Sequence, residues 1–332
     1  MNNSAGGHHP LLVILGPTCS GKSSLALEVA RHARGEIVNC DSLQLYRGMD
    51  IGTAKTPAAE RGDVAHHLFD ILEPWEVFSS GAYARAARDV LEQIRARGAV
   101  PVVAGGTGFY LKALMEGLAD APARDEKLRA RLAERERKRP GSLHRILRRL
   151  DPLTARTIHP NDVQKTVRAL EICLEARRPA SAVLAAGRRP LEGFRALKIG
   201  LRPPREALVE RIHARTRQMF EQGLIEEVRG LLARGVPADA KAFEAIGYKE
   251  ALACLQGRLR LEEAVELAAV ATRQYAKRQM TWFRREKDVI WLEGFGTEPR
   301  VAAEALRQVE RFLEEVYTKR QNNPGCADVQ GE

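Results

Sequence analysis

The chain has 332 residues, 44% of them hydrophobic, enough for one large core or two smaller ones. Lys and Arg number 53 against 43 Asp and Glu, a formal charge of +10 that points to a polyanionic partner and says nothing about fold. No apolar run approaches the roughly 18 residues of a membrane span, the N-terminus lacks a signal-like apolar core, and the five cysteines are scattered without a C-x-x-C. A membrane segment, a secretion signal, a disulfide framework and a cysteine zinc site are therefore not expected; a cytoplasmic protein is.

Residues 1–10 read as a flexible tail. The apolar run Leu11–Leu15 predicts a strand and Ser24–Arg34 a helix. Between them, Gly16, Pro17, Thr18, Cys19, Ser20, Gly21, Lys22 and Ser23 fit the phosphate-binding pattern G-x-x-x-x-G-K-[ST]. The glycines let consecutive N–H groups turn inward on an anion, and the helix N-terminus adds a partial positive charge. Lys22 adds a full charge and Ser23 a hard oxygen suited to Mg²⁺. All eight residues are expected to hold a pyrophosphate or the polyphosphate of a nucleotide.

Glu36–Cys40 predicts a second strand that ends at Asp41, and in open α/β sheets the carboxyl ends of strands line the ligand crevice. There Asp41 could hold Mg²⁺ through water, accept a proton from an amine or hydroxyl, or simply shape a turn. Residues 46–55 read as an ordered functional loop. His66 and His67 point in different directions, which suits packing or hydrogen bonding better than metal binding. A helix over Ser80–Arg97 carries Tyr83, Ala87, Val90 and Ile94 on one face. A third strand, Val100–Ala104, ends in Gly105-Gly106-Thr107-Gly108 and a following helix. The strand-end Asp common in P-loop ATPases is missing there, which leaves Thr107 and the turn amides as candidate substrate contacts, or the turn as a plain helix entry.

Composition then shifts: residues 124–149 hold 11 Lys or Arg against four Asp or Glu, on a pattern that reads as helical throughout. These charges could track a phosphodiester backbone or form a solvated face. A helix follows over Val163–Glu175, then a loop-like stretch, 178–193. Residues 118–193 are read as a helical insertion in a parent domain of 11–117 and 194–316. In the latter segment lie a strand at Phe194–Leu201, a helix from Arg205 interrupted near Gly223, and the loop Phe243–Glu250. The regular helix Leu261–Arg284 has an expected inward seam of Leu261, Val265, Ala268, Thr272, Tyr275, Gln279 and Trp282. Arg273, Lys277, Thr281 and Arg284 form a second stripe, interleaved with Tyr275, Trp282 and Phe283, which can stack on bases. Asp288–Leu292 predicts a last strand, and 317–332 a flexible tail. The expected class is α/β: a P-loop NTPase-like parallel sheet flanked by helices, with a helical insertion domain and a helical C-terminal part.

Seven segments together closely resemble the bacterial tRNA dimethylallyltransferase family: residues 16–23, 41–55 (DSLQLYRGMDIGTAK), 66–71 (HHLFDI), 105–114 (GGTGFYLKAL), 158–171 (IHPNDVQKTVRALE), 245–250 (AIGYKE) and 272–284 (TRQYAKRQMTWFR). They run in family order over nearly the whole chain. Departures are Cys19 in place of Ala or Ser, Ser23 in place of Thr, and Lys165 in place of Arg, where a point charge replaces a bidentate fork. The resemblance implies transfer of a dimethylallyl group from its pyrophosphate, with Mg²⁺, to the exocyclic amine of adenosine 37 beside the anticodon of tRNAs reading codons that begin with U. It implies Asp41, Lys22 and Thr107 as catalytic residues and a monomeric enzyme. It also implies an RNA surface of Asp41, Ser42, Leu43, Gln44, Thr107, Arg129, Gln164, Lys165, Thr166, Val167, Arg168, Glu244, Ala245, Ile246, Gly247, Tyr248, Lys249, Lys277, Arg278, Gln279, Met280, Thr281, Trp282, Phe283 and Arg284. A nucleotide kinase would share the loop and transfer phosphate instead.

Overall fold

A computed structural model describes residues 8–119, 121–122, 124–185 and 187–321; of the tails expected at 1–10 and 317–332, residues 1–7 and 322–332 lie outside the described residues. In chain order the first half comprises β1 (His9–Leu15), α1 (Lys22–Ala33), β2 (Gly35–Asn39), α2 (Ala58–Arg61), β3 (His66–His67), α3 (Ser80–Ala96), β4 (Val100–Ala104) and α4 (Gly108–Glu116). Five helices follow: α5 (Glu126–Lys138), α6 (Ser142–Leu150), α7 (Pro152–Thr157), α8 (Val163–Ala176) and α9 (Ala180–Ala185). The remainder is β5 (Phe194–Arg202), α10 (Arg205–Glu221), α11 (Leu224–Ala233), α12 (Tyr248–Leu255), α13 (Leu261–Phe283), β6 (Val289–Glu293) and α14 (Pro299–Gln321). The chain divides into two compact units, one up to Leu114 together with Glu192 onward, the other Met115–Leu191.

In the first unit the strands form one parallel sheet in the order β3-β2-β4-β1-β5-β6. β1 is buried along its whole length, as a strand with neighbours and helices on every side must be. Pro101, which has no N–H to give, sits at the second position of β4, before its ladder with β1 begins at Leu12↔Val102. From β1 the chain crosses to β2 on one side and later returns to β5 on the other, so the sheet order reverses at β1. A crevice opens at such a point, beyond the strand carboxyl ends. Leu12, Ile14, Leu25, Val29, Val102, Ile199 and Leu201 join Val301, Ala305, Val309 and Phe312 of α14 in one core.

β1 begins two residues before the expected start because His9 is held at both ends: its N–H donates to Gly193 O at 2.8 Å and its Nε2 lies 2.9 Å from Ala99 O. Between 293 and 316, where the residue pattern predicts no element, α14 forms and runs on to Gln321, into the expected tail. Its Val301, Ala305, Val309, Phe312 and Val316 keep helical spacing and are buried.

The second unit is all-helical, built on Leu132, Leu143, Leu147, Val167, Leu170, Ile172 and Val183. The helix expected throughout 124–149 is broken by Arg139-Pro140-Gly141, where Gly141 takes a φ of +74° and caps α6. The stretch 178–193, read as loop, contains α9, whose Ala180 and Val183 are buried. Asp151 ties this turn of chain together: its carboxylate accepts from Thr154 N–H (3.0 Å) and Oγ (2.6 Å) and from Ser181 N–H (2.6 Å) and Oγ (2.9 Å). Burial raises the pKa of this carboxyl, but the hydrogen bonds outweigh it and hold the value below the usual range. Its contribution is therefore full above the ordinary carboxylate pKa and is lost as pH falls through the depressed folded value. Asp151→Ala should destabilise the second unit by about 3 kcal/mol, read by denaturant melts at neutral pH.

Candidate active site

The phosphate loop leaves β1 at Gly16, whose φ of +156° L side chains rarely adopt, and whose Cβ, if present, would lie 2.7 Å from Ser20 Oγ. Ser20 N–H closes the turn on Pro17 O at 3.2 Å, and the left-handed Gly21 (φ +83°) passes the chain into α1. The helix starts at Lys22, two residues earlier than expected, so the Lys22, Ser23 and Ser24 amides occupy the first turn, where N–H groups have no intrahelical acceptor. Residues 294–297 back the loop: Gly296 N–H donates to Ser20 O at 2.8 Å, and a Cβ on Gly296 would meet Gly21 O at 2.6 Å. Ser20 Oγ is buried among the described residues without a hydrogen-bond partner. Burial lowers the pKa of Lys22, Asp41 opposes that effect and Arg215 adds to it. A lysine so placed is poised for an anion.

Asp41 sits just past the end of β2. Its N–H donates to Asn39 Oδ1 at 2.8 Å, and its own Oδ1 accepts Leu43 N–H at 3.0 Å, so one carboxylate oxygen shapes the turn. The acid and turn readings of this residue are thus not exclusive. Thr107 faces the same turn: its Oγ accepts Ser42 N–H at 3.0 Å and lies 3.3 Å from Ser42 Oγ, and its N–H donates to Cys40 O at 3.1 Å. The Thr107 amide, expected to be open to substrate, is committed to the protein. The neighbouring Cys40 thiol is pushed up to about 12 by burial, which makes it no nucleophile. A Cβ at Gly105 would lie 2.1 Å from Cys40 O, a backbone atom that cannot swing away. Gly105→Ala should destabilise the fold by about 1–3 kcal/mol and displace Asp41, measurable as a lowered midpoint in urea together with lost turnover.

Two cavities meet at the loop. One, of about 450 Å³, is lined by Lys22, Ser23, Asp50, Ile51, Ala54, Arg211, Arg215 and Met219 among others. The other, about 60 Å³, is lined by Thr18, Lys22, Ser23, Asp41, Thr53, Thr56, Gly105 and Arg215. Lys22, Ser23, Ala54, Thr56 and Arg215 belong to both. The loop 46–55 is ordered from behind. Glu227 of α11 accepts Asp50 N–H (3.0 Å), Ile51 N–H (2.8 Å) and the Tyr248 hydroxyl (2.5 Å). Lys55, buried, donates to Tyr46 O, Asp50 and Asp70 at 2.8, 2.6 and 2.6 Å. Arg215 donates to Thr18 Oγ at 2.5 Å, and Arg211 stacks on Phe295 at 4.7 Å. Arg211, Arg215 and Glu227 were not singled out from sequence; only a polar residue on an otherwise regular helix marked them. His66 and His67 hydrogen-bond as expected, His67 with Glu36 at 2.6 Å and His66 with Val64 O at 2.8 Å.

The model of the IPP transferase family matches residues 44–286, nearly three quarters of the chain, and that of an isopentenyl transferase family matches residues 9–66. The chain belongs to the IPP transferase family. It is 55% identical to a protein of Solibacter usitatus named tRNA dimethylallyltransferase, over 92% of this chain and 99% of that one. A crystal structure of the tRNA isopentenylpyrophosphate transferase of Bacillus halodurans is 35% identical, covers 95% of this chain and 98% of its own, and aligns with a TM-score of 0.68. A eukaryotic dimethylallyltransferase captured acting on tRNA is 28% identical, with 92% of this chain and 80% of that one covered and a TM-score of 0.78. The chain is thus an IPP transferase with a P-loop-like parallel sheet.

The remaining residues expected to face RNA divide into exposed and buried. In the first unit Glu244, Lys249, Arg273, Lys277, Arg278, Thr281 and Arg284 are exposed, and Ser42, Leu43, Gln44, Ala245, Ile246, Met280 and Trp282 half-buried. Gln44 Nε2 donates to Thr53 O at 3.1 Å. Trp282 packs over Gly108 and meets Phe109 edge-on at 6.2 Å. Phe283, expected to stack on bases, is instead 1% exposed, and Tyr248 is wholly buried; neither ring can meet RNA. Gly247 is also buried, its N–H closing on Glu250. The inward line of α13 is Ala264, Ala268, Ala269, Ala276, Gln279 and Phe283, whereas Leu261 of the expected seam is 48% exposed. In the second unit Gln164 and Lys165 are exposed, Lys165 paired with Asp162 at 2.6 Å, and Thr166 and Val167 are buried. Arg129 and Arg168 flank Glu171, a fully buried carboxylate, at 3.3 and 2.8 Å, and Arg168 also donates to Pro122 O. These two arginines neutralise a buried charge, which limits what they can offer a phosphate.

Proposed function

We infer that this chain transfers a dimethylallyl group from dimethylallyl pyrophosphate to the exocyclic amine of adenosine 37, beside the anticodon, in tRNAs reading codons that begin with U. One observation carries the reading: in a member of the IPP transferase family, Thr18, Lys22 and Ser23 of the phosphate loop and Asp41 line the same cavity. Loop amides, Lys22 and Arg215 take the pyrophosphate; Asp41 takes the amine. The bond from the allylic carbon to pyrophosphate oxygen breaks, the bond from that carbon to the adenine nitrogen forms, and the proton displaced from nitrogen passes to Asp41. Thr107 keeps the Asp41–Ser42 turn in place. One preorganised donor at a developing anion is worth about 2.7–4 kcal/mol.

Among the described residues no three of His, Cys, Asp and Glu gather as a metal cage. A Mg²⁺ that keeps waters and takes phosphate oxygens needs few protein ligands, and the exposed Ser23 hydroxyl at the first turn of α1 fits that role. When bound it would neutralise leaving-group charge.

Charged residues on α13, with Glu244 and Lys249, and Gln164 and Lys165 in the second unit, are exposed parts of the expected RNA surface. The adenine must leave its stack, at a cost of a few kcal/mol. No helix among the described residues is long and apolar enough to cross a membrane; the reading is of a monomeric cytoplasmic enzyme. Incubation with tRNA, Mg²⁺ and dimethylallyl pyrophosphate labelled in the prenyl group should move label into tRNA without ATP. Phosphate transfer from ATP with no labelled tRNA would favour a kinase.

A further inference from the structure

Gln279 lies on α13 beside the exposed Arg278, yet is 4% exposed itself. Its Oε1 accepts the Thr18 N–H at 2.8 Å and its Nε2 donates to the Gly106 carbonyl at 2.9 Å. Burial raises the pKa of the Tyr275 hydroxyl, one turn earlier, and Thr107 and Gln279 act against that shift. A Cβ on Gly106 would lie 2.2 Å from Nε2, so only glycine at 106 lets the amide reach its carbonyl. A primary amide is the neutral group that offers an acceptor and a donor together, and here both are used.

We propose that Gln279 is a positioning residue of the transfer reaction, clamping the phosphate loop to the Gly105–Gly108 turn, and not an RNA contact. Thr18 belongs to the loop that grips the leaving group. Gly106 precedes Thr107, whose hydroxyl accepts Ser42 N–H and so fixes the turn bearing Asp41. The amide thereby sets the separation of leaving group and carboxylate, and a displacement of roughly 1 Å between reacting groups lowers rate about 10²-fold. This proposal rests on the transfer reaction inferred above.

Gln279→Glu and Gln279→Ala test it. A carboxylate at this position still accepts Thr18 N–H but turns an anionic oxygen on the Gly106 carbonyl; once protonated, it donates again. For Gln279→Glu, turnover should fall about 10²-fold near pH 8 and recover by about tenfold, relative to wild type, toward about pH 5.5. Gln279→Ala should fall equally with no recovery. Binding of inorganic pyrophosphate to the full chain, by calorimetry, should follow the same pH pattern, with tRNA affinity within about twofold of wild type. A loss of tRNA affinity of about tenfold with unchanged pyrophosphate binding would make Gln279 an RNA contact and overturn the proposal. Equal losses in both variants at every pH would make it a packing residue, which also overturns it. If the wild-type chain transferred no dimethylallyl group, the functional reading would fail, and the pyrophosphate pattern would still decide the clamp.

Discussion

Asp41→Ala should slow single-turnover transfer by about 10²–10⁴-fold, the range for a positioned acid or base. The tRNA affinity should stay within about twofold of wild type. The carboxylate has one oxygen committed to Leu43 N–H at 3.0 Å, so alanine removes both the turn bond and the proton acceptor. Asp41→Asn separates the two. Its amide oxygen can still accept Leu43 N–H, and it cannot take a proton. If the carboxylate is the base, Asn should be as slow as Ala; if it only shapes the turn, Asn should restore most of the rate. Rapid-quench measurement of prenylated tRNA under single turnover distinguishes these outcomes.

The second large effect belongs to Lys22. Lys22→Ala should lower turnover by about 10²–10³-fold, comparable to loss of one preorganised donor at a developing anion. It should also change the response to pH in a defined direction. Burial lowers the pKa of Lys22 in the free site, Asp41 works against this and Arg215 adds to it, and a bound anion favours the charged form. Pyrophosphate binding is then accompanied by proton uptake between the free and bound values. Affinity falls as pH rises through the free-site pKa. Calorimetry in buffers of different ionisation enthalpy should detect that uptake in the wild-type chain and its absence in Lys22→Ala.

Much of this site is legible in sequence because it is local. The phosphate loop spans contiguous residues between an apolar run and a helix, and Asp41 and Thr107 each follow a strand whose end could be located from composition. The residues that hold the site together are remote from it in sequence. Arg215 meets Thr18 across 197 positions, Glu227 meets Ile51 across 176, and Gln279 meets Thr18 across 261. No periodicity connects such pairs: Arg215 and Glu227 look like ordinary surface residues, and the helical spacing turns Gln279 inward without naming its partner. The expected seam of α13 includes Ala268 but starts at Leu261 and passes over Ala264, Ala269 and Ala276, because alanines carry little hydropathic signal; those three are buried. Phe283 and Tyr248 mislead for a related reason: an aromatic ring beside basic residues suits base stacking and core packing equally, and only burial decides between them. The break at Arg139-Pro140-Gly141 was visible in the residues themselves, since proline and a left-handed glycine end a helix whatever the charge pattern around them.

Nucleoside mass spectrometry tests the transfer reaction most directly. Unmodified tRNA is incubated with the protein, dimethylallyl pyrophosphate and Mg²⁺, digested, and its adenosines are weighed and located. The account predicts N6-dimethylallyladenosine at the position beside the anticodon, formed without ATP and lost with Asp41→Ala. Unmodified adenosine in the presence of donor, Mg²⁺ and folded protein would contradict it.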